Sequence, residues 1–176
     1  SGYRMGHGDF EDMMVVDGLY CALEHVQMGC HGDSVAAEEG ITRADQDAWA
    51  YRSHQRALAA QDEGRLAEEI VGVKVSHRKG SVLVDTDEAP RPDTSLEALA
   101  KLKPVFSPDG SVTAGNAPGV NDGAGAFLIA NADWAAAKQV EPIASIVSHA
   151  AAAWGPKYLA YTPQMAADLA LKKAEL

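Results

Sequence analysis

The sequence predicts an α/β protein. Three observations carry this. Helix caps and helical apolar spacing run through residues 9–64. β-branched runs joined by a turn follow at 70–84. After about residue 104, short apolar segments alternate with capped helices.

The elements follow in order. Residues 9–28 read as a helix capped by Asp9, with Glu11 and Asp12 suited to its positive end and Gly29 just past its last turn. Asp33–Glu39 reads as a short second helix closed by Gly40. Thr42-Arg43-Ala44-Asp45 resembles a capping box with Asp in place of Glu, opening a helix to Glu63 that stops at Gly64. Its Ala-rich face, with Trp49 and Leu58, suits close packing. Ile70–Val75 and Val82–Val84 read as a hairpin with a basic tip at His77–Ser81. Ala89-Pro90-Arg91-Pro92 is extended, because each proline keeps its predecessor out of the helical region. Thr94-Ser95-Leu96-Glu97 reads as a capping box for a helix to Leu102, and Ser107-Pro108-Asp109-Gly110 as a turn. A small strand at Ser111–Ala114, a buried strand at Ala126–Ala130, a helix at 132–139 and a strand at Ile143–Ser148 complete the pattern. Thr162 caps a last helix with Pro163 at its first position.

The chain has 176 residues, with 15 Lys and Arg against 25 Asp and Glu, for a net charge of −10. That balance lacks the footprint of a nucleic-acid binder and is not drawn to anionic membranes. No apolar run is long enough to cross a bilayer. Two cysteines, Cys21 and Cys30, make no disulfide framework, and a reducing, cytoplasmic setting is expected. Ser1-Gly2-Tyr3 carries no initiator Met and no targeting pattern, and Lys172–Leu176 stops within a predicted helix. A segment of a longer polypeptide is therefore expected.

Candidate chemistry is sparse. Cys21, His25, Cys30 and His31 invite a metal reading, but Cys30 and His31 are adjacent and the spacing fits no ligand pattern. Ordinary helix-face residues are the preferred reading. Gly115–Gly125 could offer backbone N–H groups to an anion, yet it has neither a P-loop ending nor a dinucleotide fingerprint, and a structural turn is preferred. Arg78, Lys79 and Arg91 concentrate positive charge in an acidic chain. They suit either a phosphorylated ligand or a solvated hairpin tip.

A set of ordered segments carries more. Met28-Gly29, Ile41-Thr42-Arg43-Ala44-Asp45-Gln46-Asp47, Glu69-Ile70-Val71, Arg78-Lys79-Gly80 and Asp85-Thr86-Asp87-Glu88 are followed by Leu102-Lys103-Pro104-Val105-Phe106. Gly110-Ser111-Val112-Thr113-Ala114-Gly115-Asn116-Ala117 and Asn121-Asp122-Gly123-Ala124 complete the set. In order and spacing, from about Arg4 to Thr162-Pro163, they resemble the thiolases, the acetyl-CoA C-acetyltransferase and 3-ketoacyl-CoA thiolase family.

The resemblance implies a thiolase fold: two βαβαβαββ core domains with a helical and β loop domain inserted in the first. Residues 1–119 would be the loop domain for CoA binding and tetramer assembly. Residues 120–140 would return to the N-terminal core domain, and 141–176 would begin the C-terminal one. The family's nucleophilic cysteine, catalytic histidine and second cysteine would lie outside these residues, so no catalytic residue is assigned here. By similarity, Leu19, Met28, Arg91, Leu102, Val105, Phe106, Ala114 and Val120 match positions along the CoA path, and Met28 and Leu159 border the acyl pocket. Gln27, Ala98 and Pro118 depart from the family's frequent histidine and serines, and Tyr161-Thr162-Pro163 from its usual glycine-containing sequence. The implied activity is Claisen condensation of acetyl-CoA or thiolysis of 3-ketoacyl-CoA through an acyl-cysteine, in fatty acid and lipid metabolism. It would use acyl-CoA and CoA as substrates and no cofactor, in a homodimer or homotetramer. The alternative is a non-catalytic CoA-binding or assembly module.

Overall fold

The computed structural model describes residues 5–176; Ser1–Arg4, where the thiolase-like stretch is expected to begin, lie outside the described residues. The chain divides into two units. Among the described residues the first takes 5–20 and 26–119, the second 21–25 and 120–176.

In the first unit, the helix expected over 9–28 does not form as such. The Asp12 carboxylate accepts the Met14 N–H at 2.9 Å, so helical structure starts at Met13 rather than at Asp9. It widens into a π-helical turn at Val15–Leu19, with Gly18 inside it, and gives way to the two-residue strands β1 (Tyr20–Cys21) and β2 (Val26–Gln27). Phe10, Met13 and Leu23 are exposed, while Leu19 and Val26 are half-buried, so the apolar positions of 9–28 do not form one packed stripe.

Helix α1 (Met28–Glu38) begins where the first helix was expected to end. Gly29 lies in its first turn and not beyond a last one. The reason is steric: a Cβ on Gly29 would overlap the Phe106 ring. Gly29 serves close approach rather than a left-handed turn. Gly40 does take the left-handed conformation, at φ 66°. Its N–H bonds the Ala37 carbonyl at 3.2 Å and the Ile41 N–H bonds that of Ala36 at 2.8 Å, the Schellman pattern.

Helix α2 (Arg43–Asp62) opens with the expected capping box. The Thr42 hydroxyl accepts from the Asp45 N–H at 3.2 Å, and the Asp45 carboxylate accepts from the Thr42 N–H at 3.0 Å. Gly64, at φ 73°, ends it with the same two-bond closure, through Gln61 and Ala60. Trp49 is exposed rather than packed, and the Arg52 guanidinium sits 4.2 Å from its ring centre. The α2 face that packs carries Asp47, buried through ionic and hydrogen-bonded partners.

Strands β3 (Val73–His77) and β4 (Gly80–Val84) form the expected hairpin, with Val73 opposite Val84 and His77 opposite Gly80. The turn is the two residues Arg78-Lys79, with Gly80 at φ 142°. Helix α3 (Leu96–Ala100) is capped by Ser95, whose hydroxyl accepts the Ala98 N–H at 3.1 Å; Thr94 is one residue too early. The strand expected at Ser111–Ala114 reduces to one antiparallel bridge between Thr113 and Pro104, after a Ser107–Gly110 turn closed at 3.1 Å.

In the second unit, Asn131 caps α4 (Ala132–Ala137) by accepting the Asp133 N–H at 2.8 Å. A 3₁₀ turn at Pro156–Tyr161 leads into α5 (Thr162–Lys173). Thr162 is therefore inside helical structure and is not its cap; its hydroxyl donates to the Leu159 carbonyl at 2.8 Å. Trp154, Tyr158 and Tyr161 cluster, with the Trp154 and Tyr158 rings stacked at 4.6 Å.

The buried strands expected at 126–130 and 143–148 are not observed. Both segments lack strand pairing among the described residues, and Phe127, Leu128, Ile129, Ile143, Ile146 and Val147 are exposed. Their apolar runs create a demand for burial. A strand also needs neighbours to accept its N–H and C=O groups, and the described residues supply none.

Candidate functional site

The first unit is organised around the Gly110–Ala117 loop, and its polar side chains explain that motif residue by residue. Thr113 is fully buried. Asn116 accepts the Thr113 N–H at 2.8 Å, and its amide donates to the Ser111 carbonyl at 2.9 Å and to Asp47 Oδ1 at 3.1 Å. Asp47 in turn accepts from Arg43 Nε at 2.9 Å. The other arm of Arg43 donates to the carbonyls of Leu99 at 2.6 Å and Leu102 at 3.1 Å, at the end of α3. One guanidinium thus joins α2 to α3, and one carboxylate joins α2 to the loop.

Asp33 on α1 holds the other side of this loop. It accepts from the N–H groups of Ser111 at 2.8 Å and Val112 at 2.9 Å, and from the Ser107 hydroxyl at 3.1 Å. Gln46 adds a bond to the Ser111 hydroxyl at 2.8 Å. Gly115 has no room for a side chain: a Cβ would lie 2.5 Å from both Leu99 Cδ2 and Leu102 Cδ1. Glycine, asparagine and threonine in this motif therefore serve close packing and bond satisfaction.

The first-unit residues expected along the CoA path distribute around this frame. Phe106 covers Gly29, next to Met28 at the start of α1. Leu102 touches the Gly115 position, next to Ala114. Leu102, Val105 and Ala114 present exposed surface, and Leu19 ends the π-helical turn. Val120 and Leu159 are exposed and belong to the second unit.

The segment expected to be extended is instead bent at 88–90 and turned at 92–93, and Glu88–Asp93, with Arg91 on it, lines a shallow concavity of about 430 Å³. The segment is tethered to α2 twice. Gln61 Nε2 donates to the Asp87 carbonyl at 3.1 Å, and the Arg91 N–H donates to His54 Nδ1 at 3.1 Å. The guanidinium itself is exposed and paired bidentately with Asp93, through Nε at 3.2 Å and Nη2 at 3.0 Å. Those hydrogen bonds hold the Asp93 carboxyl below the usual carboxylate range. Arg78 and Lys79 sit apart in sequence, at the β3–β4 turn.

A family model described as "Thiolase, N-terminal domain" matches residues 1–133. The chain belongs to the thiolase family. A relative named acetyl-CoA acetyltransferase from Pseudomonas aeruginosa is 46% identical over 175 residues, covering 99% of this chain and 44% of the relative. One of the same name from Paracoccus denitrificans is 43% identical, covering 98% of this chain and 44% of its own. Among solved structures, human mitochondrial 3-ketoacyl-CoA thiolase aligns with a TM-score of 0.90 at 38% identity, over 99% of this chain and 44% of that one. The Bacillus anthracis acetyl-CoA acetyltransferase aligns at 0.88 and 37%, with the same coverage.

This thiolase chain thus spans 44% of the length of the relatives it matches, and the thiolase fold expected from the motifs is met over that span. Reading the sequence alone missed Arg43, Asp47, Asp33 and His54. A signal was present for the first pair. Arg43 and Asp47 are four apart on a helix, the spacing of an ion pair. Asp33 and His54 find partners 74 and 37 residues away, which no local pattern announces.

Proposed function

We propose that this chain is the CoA-holding middle of an acetyl-CoA C-acyltransferase. Residues 1–119 would form the loop domain, 120–140 the return to the N-terminal core domain and 141–176 the start of the C-terminal one. The observation that supports this is the near-complete alignment, with 99% of the chain matched at 46% identity to a protein named acetyl-CoA acetyltransferase. In the condensation direction a cysteine thiolate would attack the acyl thioester, forming an acyl-cysteine and releasing CoA, and acetyl-CoA would then take the acyl group from the cysteine through a new carbon–carbon bond. In thiolysis the thiolate would attack the 3-keto carbon, breaking the carbon–carbon bond and releasing acetyl-CoA, and free CoA would take the acyl group from the cysteine. Splitting the transfer in two lowers each barrier.

This chain's part is to hold and orient CoA so that the thioester meets the cysteine in reacting geometry. Met28, Leu102, Val105, Phe106, Ala114, Leu19 and Val120 would line the pantetheine and adenine path, and Arg91 would face the nucleotide phosphates. Met28 and Leu159 would border the acyl group. The enzyme would work as a homodimer or homotetramer in the cytoplasm, in fatty acid metabolism. Among the described residues no helix is long and apolar enough to cross a membrane.

The test compares the 176-residue chain with a polypeptide extended to the length of its relatives, using acetoacetyl-CoA and free CoA. Thiolysis by the extended polypeptide and none by the chain alone is the expected result. Cleavage by the chain alone would contradict the proposal. CoA binding with no activity in the extended form would favour the assembly-module alternative.

A further inference from the structure

We infer that Asp93 is a built-in competitor for the phosphate-binding face of Arg91, and so sets how weakly or tightly this protein holds a phosphorylated ligand. The inference rests on the nucleotide role proposed above for Arg91.

A guanidinium presents its N–H groups as a planar fork, and one edge of that fork suits either a carboxylate or a phosphate. In this chain one edge, Nε with Nη2, is already taken by both oxygens of Asp93 at 3.2 and 3.0 Å. The two residues flank Pro92, whose fixed φ restricts the backbone between them. The Arg91 N–H is bonded to His54, so the backbone under the guanidinium is tethered to α2.

The pair is two-thirds exposed on each side, at 67% and 69%. Exposed ion pairs are individually weak, so a phosphate can take the edge from the carboxylate. It does so against two costs. The Arg91–Asp93 bonds are lost, and the displaced carboxylate stays two residues away, repelling the incoming anion. Glu88 lines the same concavity and adds negative charge without a described bond to Arg91. That makes it the control for charge alone.

The experiment uses the extended enzyme with acyl-CoA and with acyl-pantetheine, which lacks the nucleotide. Asp93→Asn keeps the shape and removes the charge. It should lower the KM for acyl-CoA about 3–10-fold, leave kcat within about twofold, and leave the KM for acyl-pantetheine in place. Glu88→Gln should change the KM for acyl-CoA less than about twofold. In an Arg91→Ala background, Asp93→Asn should change the KM for acyl-CoA less than about twofold, since the competition is gone and only the screened repulsion between carboxylate and phosphate remains.

If Arg91→Ala raises the KM for acyl-CoA alone while Asp93→Asn leaves it unchanged, the competition is wrong and the nucleotide role of Arg91 stands. Equal effects from Glu88→Gln and Asp93→Asn would reduce the effect to net charge and also overturn the inference. If Arg91→Ala changes neither KM, both the role of Arg91 and the competition fall.

Discussion

Asn116 donates its side-chain amide to Asp47 Oδ1 at 3.1 Å, across 69 residues of sequence. That bond fixes the Thr113–Ala117 loop to helix α2. The same asparagine closes the loop internally, through Ser111 and Thr113.

Asn116→Ala should therefore destabilise the first unit by about 2–4 kcal/mol, since it removes three bonds and leaves part-buried partners unsatisfied. Urea denaturation checks this. Asn116→Asp should cost at least as much at neutral pH, because it sets a second carboxylate against Asp47. An Asn116→Asp protein as stable as the parent would refute the arrangement.

Arg43 satisfies a buried carboxylate and two carbonyls at once. Arg43→Met should cost about 3–5 kcal/mol, chiefly by stranding Asp47. The double variant Arg43→Met with Asp47→Leu should recover part of that loss, and a cycle of unfolding free energies measures the coupling.

Gly115→Ala should destabilise by about 1–3 kcal/mol through overpacking against Leu99 and Leu102. Leu99 is buried and cannot yield, whereas Leu102 is part-exposed and can. Adding Leu102→Ala to Gly115→Ala should therefore relieve only part of the cost. Thermal unfolding of the four proteins decides it.

Thr42→Ala should lower the melting temperature by about 2–4 °C, the effect of losing one helix cap. The bond from the Thr42 hydroxyl, followed by that from its backbone N–H, holds the Asp45 carboxyl below the usual carboxylate range. A depressed folded-state pKa gives stability that is present at neutral pH and lost as pH falls through that lowered value. The gap between parent and Thr42→Ala should accordingly narrow in acid. A gap that widened below the carboxylate range would count against the cap.

The 176-residue chain alone should bind hydrophobic dyes and self-associate, because Phe127–Ile129 and Ile143–Val147 expose apolar side chains on unpaired backbone. Lysine at Phe127 and Ile129 should reduce association measured by light scattering. A monodisperse, dye-silent parent chain would contradict the exposure.

Local chemistry was legible in the sequence wherever it closes on itself within a few residues. The Thr42–Asp45 box, the left-handed stops at Gly40 and Gly64, the Ser107–Gly110 turn and the valine-rich hairpin all depend on neighbours in the chain. The ordered motifs also carried the family, and with it the fold class. Tertiary structure alone decided the rest. Gly29 became a first-turn helix residue whose missing side chain leaves room for the ring of Phe106, 77 positions on. Asp33, Asp47 and His54 acquired their roles from partners on distant segments. Residues 126–130 and 143–148 show the converse: an apolar run encodes a need for burial, but strand pairing belongs to two segments and no single one can specify it.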